Sequence, residues 1–531
     1  MNSTAQQIPY SHTGFFSSLL TDYVAGNKHL LPFFEHSVDY NGIAAAITQR
    51  QKHNTNRQLL VQVLTKKYQH FTLSAKQQNN IQLLLQPNTF TITTAHQPNI
   101  FTGHLYFIYK ILHAIKIADE LNTNMPDKHF VPIYYMGSED ADLEELGHVF
   151  IDGVKYTWQT NQTGAVGRML IDESLINILK KISGQLLVHP FGQQLVNMMY
   201  QFYTIGNTIE QATFLLVQQL FAQYGLLVLL PDDADLKASF LPIITKELEE
   251  QFSYKKVQET AAVFPTVYKL QASGRLLNLF YLQHQSRKRI EWDGHQFNVV
   301  DTNVVFSKQA MLDAFTTHPE KCSPNVILRP VFQEWVLPNI AFVGGGGEIA
   351  YWLELKKVFD AVDVPYPMLI VRNSFLIIEP QHVQVINKLQ LSTLEMFKDT
   401  LTIINNFVQK NSTHVLSLQP QIVQLNTIYA AMQNTAGKVD STLAIHTAAL
   451  LTQATNKIKA LQNKMLSAER KKNEAVVRQI TRLKQQLFPQ NNLQERVENF
   501  MLLYAKYGPD FIQHLYQHSS TLQQQFTIVN L

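Results

Sequence analysis

The sequence predicts an α/β core built on a parallel sheet, followed by long paired helices. Three observations lead there. Phe90 to Ala118 (FTITTAHQPNIFTGHLYFIYKILHAIKIA) belongs to a β-rich run from Thr89 to Thr94, a polar turn, and an apolar-periodic helix. A second strand-like run, Phe130 to Met136, completes strand, helix and strand over roughly 45 residues, the form of a right-handed βαβ unit. From about Pro380 alternation gives way to helical spacing, held without Pro or Gly between Val439 and Leu487.

A chain of 531 residues and 60.8 kDa exceeds one compact core, so two or three structural units are expected. With 45% hydrophobic and 16% charged residues the composition is that of a folded protein. The net charge of +3 gives no overall argument for nucleic acid or a membrane. One cysteine, Cys322, excludes an intrachain disulfide and a cysteine metal cluster. The opening MNSTAQQIPYSHTGFF has no basic region leading into an apolar core, and the longest apolar stretches are strand-sized; a cytoplasmic protein is expected.

In chain order, Phe15 to Tyr23 and Arg57 to Phe71 carry apolar residues at helical spacing and predict a packing layer over the sheet. After the βαβ unit, residues 143 to about 210 read as an insertion. Gln211 to Phe221 reads as a helix, and Gly225 to Leu230 as a buried strand ending at Pro231-Asp232-Asp233. Phe240 to Ser307 reads as a second mixed stretch, with hairpin strands around Arg275 to Tyr281 and Arg289 to Val300 and a turn at Asp293-Gly294. Core-like text returns from Asn325 to Arg372, with a helix from about Ile349 to Asp360 and a strand around Pro367 to Arg372. Asn387 to Lys410 is the expected antiparallel partner of the long 439–487 helix. Residues 388–487 hold 13 Lys and Arg against 5 Asp and Glu, a basic arm. Residues 493 to 531 are expected to fold back on the body.

Several stretches carry groups suited to chemistry. Thr102-Gly103-His104 stands where a helix begins, and a helix N-terminus offers unpaired N–H groups and a positive dipole end to an anion. On these three residues alone a simple helix cap is the stronger reading. His96, Gln97 and Pro98 lie in the turn at a strand's carboxyl end, where open α/β sheets bind ligands. Glu139, Asp140 and Asp142 cluster at the next strand end and could hold an ammonium or a metal, serve as a base, or merely favour a helix start. Gly344 to Gly347 before Glu348 suggests a phosphate-cradling loop, although it lacks the P-loop Lys and the dinucleotide fingerprint. Arg329, Glu334 and Arg372 are available for anion or amine contacts. Cys322 is read as part of a polar loop, HPEKCSPN, and left out of the chemistry.

Taken together, QPNIFTGHLYFIYK (97–110), GSEDADLEEL (137–146), HPEKCSPNVILRPVFQEWVLPNIAFVGGGGEIAYWLELK (318–356) and AKYGPDF (505–511) resemble the cysteine-adding enzymes of bacillithiol biosynthesis, the BshC family, over nearly the whole chain. The resemblance implies a Rossmann-like core of the class I nucleotidyltransferase and aminoacyl-tRNA synthetase kind in residues 1–380. Two insertions, at about 150–210 and 240–320, would interrupt it. It further implies an antiparallel helical coiled coil over 381–487 that mediates homodimerisation, and a C-terminal segment over 488–531. The implied reaction joins the carboxylate of cysteine to the amine of glucosaminyl-malate, with ATP as the energy source and no metal assigned.

On that resemblance His96, Gln97, Thr102, Gly103, His104, Glu139 and Asp140 become catalytic. Asp142, Arg329, Glu334, Gly345, Gly346 and Glu348 become substrate-binding. Arg372, Asn373, Ser374 and Asn499 form a nucleotide pocket apart from the His96–Glu139 cleft. The sequence departs from the family pattern at His96, where relatives commonly have Gln, at His104, where many have Pro, and at Ala141, where many have His. A scaffold or RNA-binding protein working through the basic arm is the alternative from another class.

Overall fold

Thr89–His96 and His129–Met136 are rich in β-branched and aromatic residues and buried on both faces, as central parallel strands require. In the computed structural model, which describes residues 3–531, they pair in parallel from Thr89 opposite His129 to His96 opposite Met136. Leu227–Leu229 extends the sheet beside His129–Met136, and Asn339–Gly344 and Met368–Val371 extend it on the other side, all in parallel. Numbered along the chain, the strand order is 3-2-1-4-5, the doubly wound order. The order reverses between Thr89–His96 and Asn339–Gly344, so a crevice opens where those two strands end.

Helices cover the sheet. Tyr106–Asn124 is the crossover between the first two strands. Its Ala114, Ile117, Ala118 and Leu121 meet Ile43, Ala46 and Ile47 of the Tyr40–Arg50 helix in a core that includes Phe90, Ile92, Phe130, Ile340, Val343 and Ile370. Burying such side chains is worth roughly 1.5–3 kcal/mol each. The first interruption of the sheet holds the hairpin His148–Ile151 with Val154–Thr157 and three helices, Glu173–Leu186, Gly192–Phe202 and Ile209–Phe221. The second holds an antiparallel sheet of Leu279–Gln283, Ser286–Trp292, Phe297–Val299, Val305–Phe306 and Cys322–Pro324. Cys322 is therefore a fully buried strand residue rather than part of a polar loop, and burial pushes its thiol pKa up.

Contacts divide the chain into two units. One comprises the residues up to Leu376 with Asn492–Val529, and the other Ile377–Asn491 with Asn530–Leu531. Within the second unit Gln419–Val439 packs along Ser441–Lys472. The expected single helix from Val439 to Leu487 is corrected here. It breaks at Asp440, whose carboxylate caps Thr442 at 2.7 Å, and again at Asn473. The main partner is Gln419–Val439 rather than Asn387 to Lys410, although Thr400–Asn411 does pack at the far end of the long helix. Pro420 and Gly437 masked that helix in the sequence. The proline sits in the first turn, where its missing N–H costs nothing. Gly437 lies where the two helices approach closely, since a Cβ there would stand 3.3 Å from Ala444 Cβ. Among the described residues no helix is long and apolar enough to cross a membrane.

Candidate active site

A cavity of about 870 Å³ opens at the switch point, within the size range of small-molecule sites. Ala95 and His96 reach it from one strand end, Gly345, Gly346, Gly347 and Glu348 from the other, and Gly137, Glu139 and Asp140 from the third. Six arginines line it, Arg275, Arg287, Arg289, Arg329, Arg372 and Arg496, against four carboxylates, Glu139, Asp140, Glu145 and Glu348. The excess of guanidinium suits a ligand with several anionic groups, and the carboxylates give an ammonium somewhere to sit. Among the described residues no cluster of His, Cys, Asp and Glu is arranged to hold a metal.

The helix N-terminus expected to receive an anion is already occupied. The helix starts at Tyr106, after a turn in which Phe101, Thr102 and Gly103 all have positive φ, 51°, 70° and 66°. Non-glycine residues hold such angles only where the surroundings enforce them. Asn499 enforces them: its Nδ2 donates to the Phe101 carbonyl at 2.9 Å and the Gly103 carbonyl at 2.5 Å. Next to it, the Leu105 N–H donates to the Glu498 carbonyl at 2.7 Å, and His104 Nδ1–H donates to the Val497 carbonyl at 3.1 Å. The segment 497–499 thus caps the helix from within the protein.

Thr102 is buried and Gly103 lies off the cavity, where a Cβ would collide with the Asn99 side chain at 2.8 Å. The glycine serves this packing rather than the approach of a ligand. His104 does line the cavity, and burial lowers its pKa. Asn499→Ala leaves two buried carbonyls without donors. We expect a loss of about 2 kcal/mol of stability, read as a lowered Tm in a thermal melt; an unchanged Tm would mean the loop holds itself.

Glu139 is buried in a chain of alternating charge. Lys237 Nζ bonds its Oε1, and Ser323 Oγ donates to its Oε2 at 3.0 Å. Lys237 also reaches Asp232 at 2.9 Å, and Arg168 meets Asp232 through two bonds of 2.7 and 2.8 Å. Glu139 is therefore spoken for, and burial raises its pKa against the pull of Lys237. Asp140 also lines the cavity; among the described residues it pairs with no cation and accepts from Gln97 Nε2 at 3.0 Å and the Asp142 N–H at 3.2 Å. Asp142 lies away from the cavity, exposed, and caps a helical turn by accepting the Glu145 N–H.

Arg329 stands over the Tyr135 ring and donates to Tyr351 Oη at 2.8 Å. In the glycine run, Gly344 leaves room for the Phe342 ring, whereas the next three glycines face the cavity. The Gly345 N–H is taken by Glu348 Oε2 at 2.8 Å. That same oxygen receives Lys110 Nζ at 2.6 Å, and Lys110 also donates to the Ala95 carbonyl at 2.5 Å. Lys110 so ties the two strand ends together across the crevice.

Glu334 does not reach the site. It is fully buried, bound to Arg50 at 2.8 Å and to the side-chain amides of Gln333 and Asn339. The four residues expected to form a separate nucleotide pocket divide between the cavity and the core. Arg372 lines the same cavity as His96 and Glu139, paired with Glu495 at 2.8 Å and lying 4.7 Å over the Tyr106 ring. Asn373, Ser374 and Asn499 are buried off it. The Asn373 N–H donates to His113 Nδ1, and Ser374 Oγ donates to Glu495.

His96 sits against the rings of Tyr106 and Phe107 at 5.4 and 5.5 Å. Burial, then nearby Lys110, His104 and Arg372, push its pKa well below the usual 6.5, so the imidazole is neutral at pH 7. Its Nε2 is buried with no hydrogen-bond partner among the described residues. A neutral, uncommitted imidazole at the crevice is equipped to take a proton.

Tyr106, Lys110, Lys237, Arg287 and Arg496 were not singled out in the sequence. Two of them left a signal there. Lys110 is a lone charge inside an otherwise apolar helical run, and Arg287 and Arg289 alternate along SRKRIEW so as to share one face of a strand.

Comparison with known proteins now bears on this geometry. Residues 3–373 match the model of the "Bacillithiol biosynthesis BshC, N-terminal Rossmann-like domain", and residues 375–531 that of the "Bacillithiol biosynthesis BshC, C-terminal coiled-coil domain". A protein of Flavobacterium johnsoniae named "Putative cysteine ligase BshC" is 37% identical over 526 residues, covering 99% of each chain. One of the same name from Flavobacterium psychrophilum is 36% identical over 98% of each. A solved arginyl-tRNA synthetase structure from Campylobacter jejuni aligns with 84% of this chain and 98% of its own, at 11% identity and a TM-score of 0.21. Matched along its length by both family models, with a Rossmann-order sheet in one unit and paired long helices in the other, the chain belongs to the BshC family of bacillithiol biosynthesis.

Proposed function

We propose that the protein is a cysteine ligase that forms an amide between the carboxyl of cysteine and the amine of glucosaminyl-malate, the last step of bacillithiol assembly. The observation that carries this reading is the switch-point cavity, where arginines, unpaired Asp140 and neutral His96 converge. Cysteine brings one ammonium and one carboxylate, and the acceptor brings an amine and two carboxylates. A cavity with both signs of charge and an excess of arginine matches that pair.

Asp140, held by Gln97, receives the ammonium of cysteine. Arg329, Arg372 and Arg496 fit anionic oxygens on the side of the cavity nearest the glycine run. ATP supplies the leaving group that makes the cysteine carboxyl reactive, and these guanidinium groups are the ones suited to its phosphates. His96 accepts the proton released as the acceptor amine forms the new C–N bond. A wall of Tyr106, Tyr135 and Tyr351 keeps part of the cavity apolar, which strengthens each charged contact.

The purified protein given cysteine, glucosaminyl-malate and ATP should form the thiol product and cleave one nucleotide per amide. Product without nucleotide turnover would remove the role of ATP. No product with any acceptor would remove the ligase reading.

A further inference from the structure

The hairpin of the second insertion, Leu279–Gln283 with Ser286–Trp292, forms one wall of the cavity and has no part in the mechanism above. Arg287 projects from it in a fixed pose. Its guanidinium lies 4.0 Å over the Phe280 ring, its Nε donates to Ser323 Oγ at 2.9 Å, and its Nη2 donates to the Pro324 carbonyl at 3.0 Å. No carboxylate lies within ion-pair distance of it among the described residues, and Nη1 makes no hydrogen bond there. Ser323, which accepts from Arg287, spends its own proton on Glu139, so the serine cannot turn away.

Arg289, two residues along the same strand, and Arg275 line the same wall. Among the described residues Arg289 pairs with Glu291 at 3.2 Å and Arg275 has no ion partner. The tip of the hairpin is pinned from the first insertion. Thr163 Oγ1 donates to the Gln285 carbonyl at 2.8 Å, and Gly164, at φ 90°, packs so close that a Cβ would stand 2.6 Å from the Gln285 carbonyl carbon. A guanidinium already immobilised on one edge loses little entropy on binding, which is the condition for a specific anion subsite.

We infer that Arg287, supported by Arg289 and Arg275, is the subsite for a small dicarboxylate: the malate portion of the acceptor, held opposite the Arg329–Arg372–Arg496 side. This rests on the acceptor proposed above being a malate conjugate. It assigns the acceptor to the hairpin wall and leaves Arg329, Arg372 and Arg496 to the nucleotide, within the cavity that His96 and Asp140 also line.

The test is titration calorimetry of the full-length protein with L-malate, and separately with ATP, for wild type, Arg287→Gln and Arg287→Lys. Losing a charge-assisted bond of about 1.5–3 kcal/mol predicts malate affinity falling about 10- to 100-fold in Arg287→Gln. Arg287→Lys should recover part of it, with ATP affinity unchanged. A malate affinity equal to wild type in Arg287→Gln overturns the subsite, as does a wild type that does not bind malate. A fall in ATP rather than malate affinity would assign the wall to phosphate and overturn it too. If ligation fails with every acceptor while malate binding still tracks Arg287, the proposed function falls and the subsite stands. Near-ultraviolet circular dichroism of both variants separates lost binding from lost folding.

Discussion

Lys237→Met should destabilise the protein by about 3–5 kcal/mol, measured as a lower urea midpoint at pH 7. The ammonium is buried between two carboxylates, with only 2% of its side chain exposed, beside 11% of Glu139 and 7% of Asp232. Methionine fills much of the same volume, so the loss would be charge compensation rather than packing. Burial would raise the Asp232 carboxyl, yet Lys237 and Arg168 outweigh it and hold it at about 2, below the ordinary 3.8. A carboxyl lowered on folding stabilises the native state above its unfolded pKa and loses that contribution as pH falls through the folded value. The wild-type advantage over Lys237→Met should accordingly shrink between about pH 4 and pH 2. Adding Glu139→Gln to Lys237→Met should restore part of the loss, because one uncompensated charge goes. A single variant within about 1 kcal/mol of wild type would show that water already solvates the network.

The parts of the molecule legible in the sequence were those with a short-range cause. Thr89–His96 and His129–Met136 announced themselves by composition, and the crossover helix by its apolar period. Asn339–Gly344 was harder, because a short apolar run, Ile340 to Val343, running into glycines fits a loop as well as a buried strand. At the site, His96, Gln97, Glu139 and Asp140 stand out because they follow strand ends, and the glycine run because four glycines in a row are hard to explain by packing; Arg329, on the Leu328–Val336 helix, stands out only as a charge in a core-like stretch. What went wrong was long-range. Nothing near Thr102-Gly103-His104 reveals that residues nearly 400 positions later, Val497 to Asn499, would close over it, take the Leu105 N–H that an anion could have used, and pin the Phe101 and Gly103 carbonyls. Glu334 resembled a site carboxylate, but Arg50, at the end of the Tyr40–Arg50 helix nearly 300 positions earlier, draws it into the core.

The same segment explains why arginines dominate the cavity. With this helix end capped internally, its backbone dipole is not free to meet substrate charge, and guanidinium groups held in place by their neighbours take the task. Arg496 belongs to the returning segment itself and has no ion pair among the described residues. A single stretch from Asn492 to Asn499 therefore both caps the helix and contributes to the cavity wall. Family members with other residues at positions 102–104 could keep the site as long as this closure persists.

His96→Ala should lower kcat about 10²- to 10⁴-fold, the usual worth of a positioned general base, while the KM values for cysteine and ATP change little. The geometry gives the imidazole no structural hydrogen bond at Nε2 whose loss would unfold the protein, so the folded fraction should be close to wild type. Its depressed pKa makes a second, independent expectation. A base that stays neutral well below pH 6.5 does not switch off near neutrality, so the acid limb of the kcat profile should lie below 6.5. Glutamine, which relatives commonly carry here, keeps a polar group in the pocket but cannot accept a proton, so His96→Gln tests whether this chain's site depends on its imidazole, and the expected loss matches that of alanine. Should His96→Gln instead retain kcat within about threefold of wild type, His96 only orients the acceptor and the proton leaves by another route. Asp140, a cavity-lining carboxylate without a cation among the described residues, is then the candidate to receive it, and Asp140→Asn would carry the larger loss.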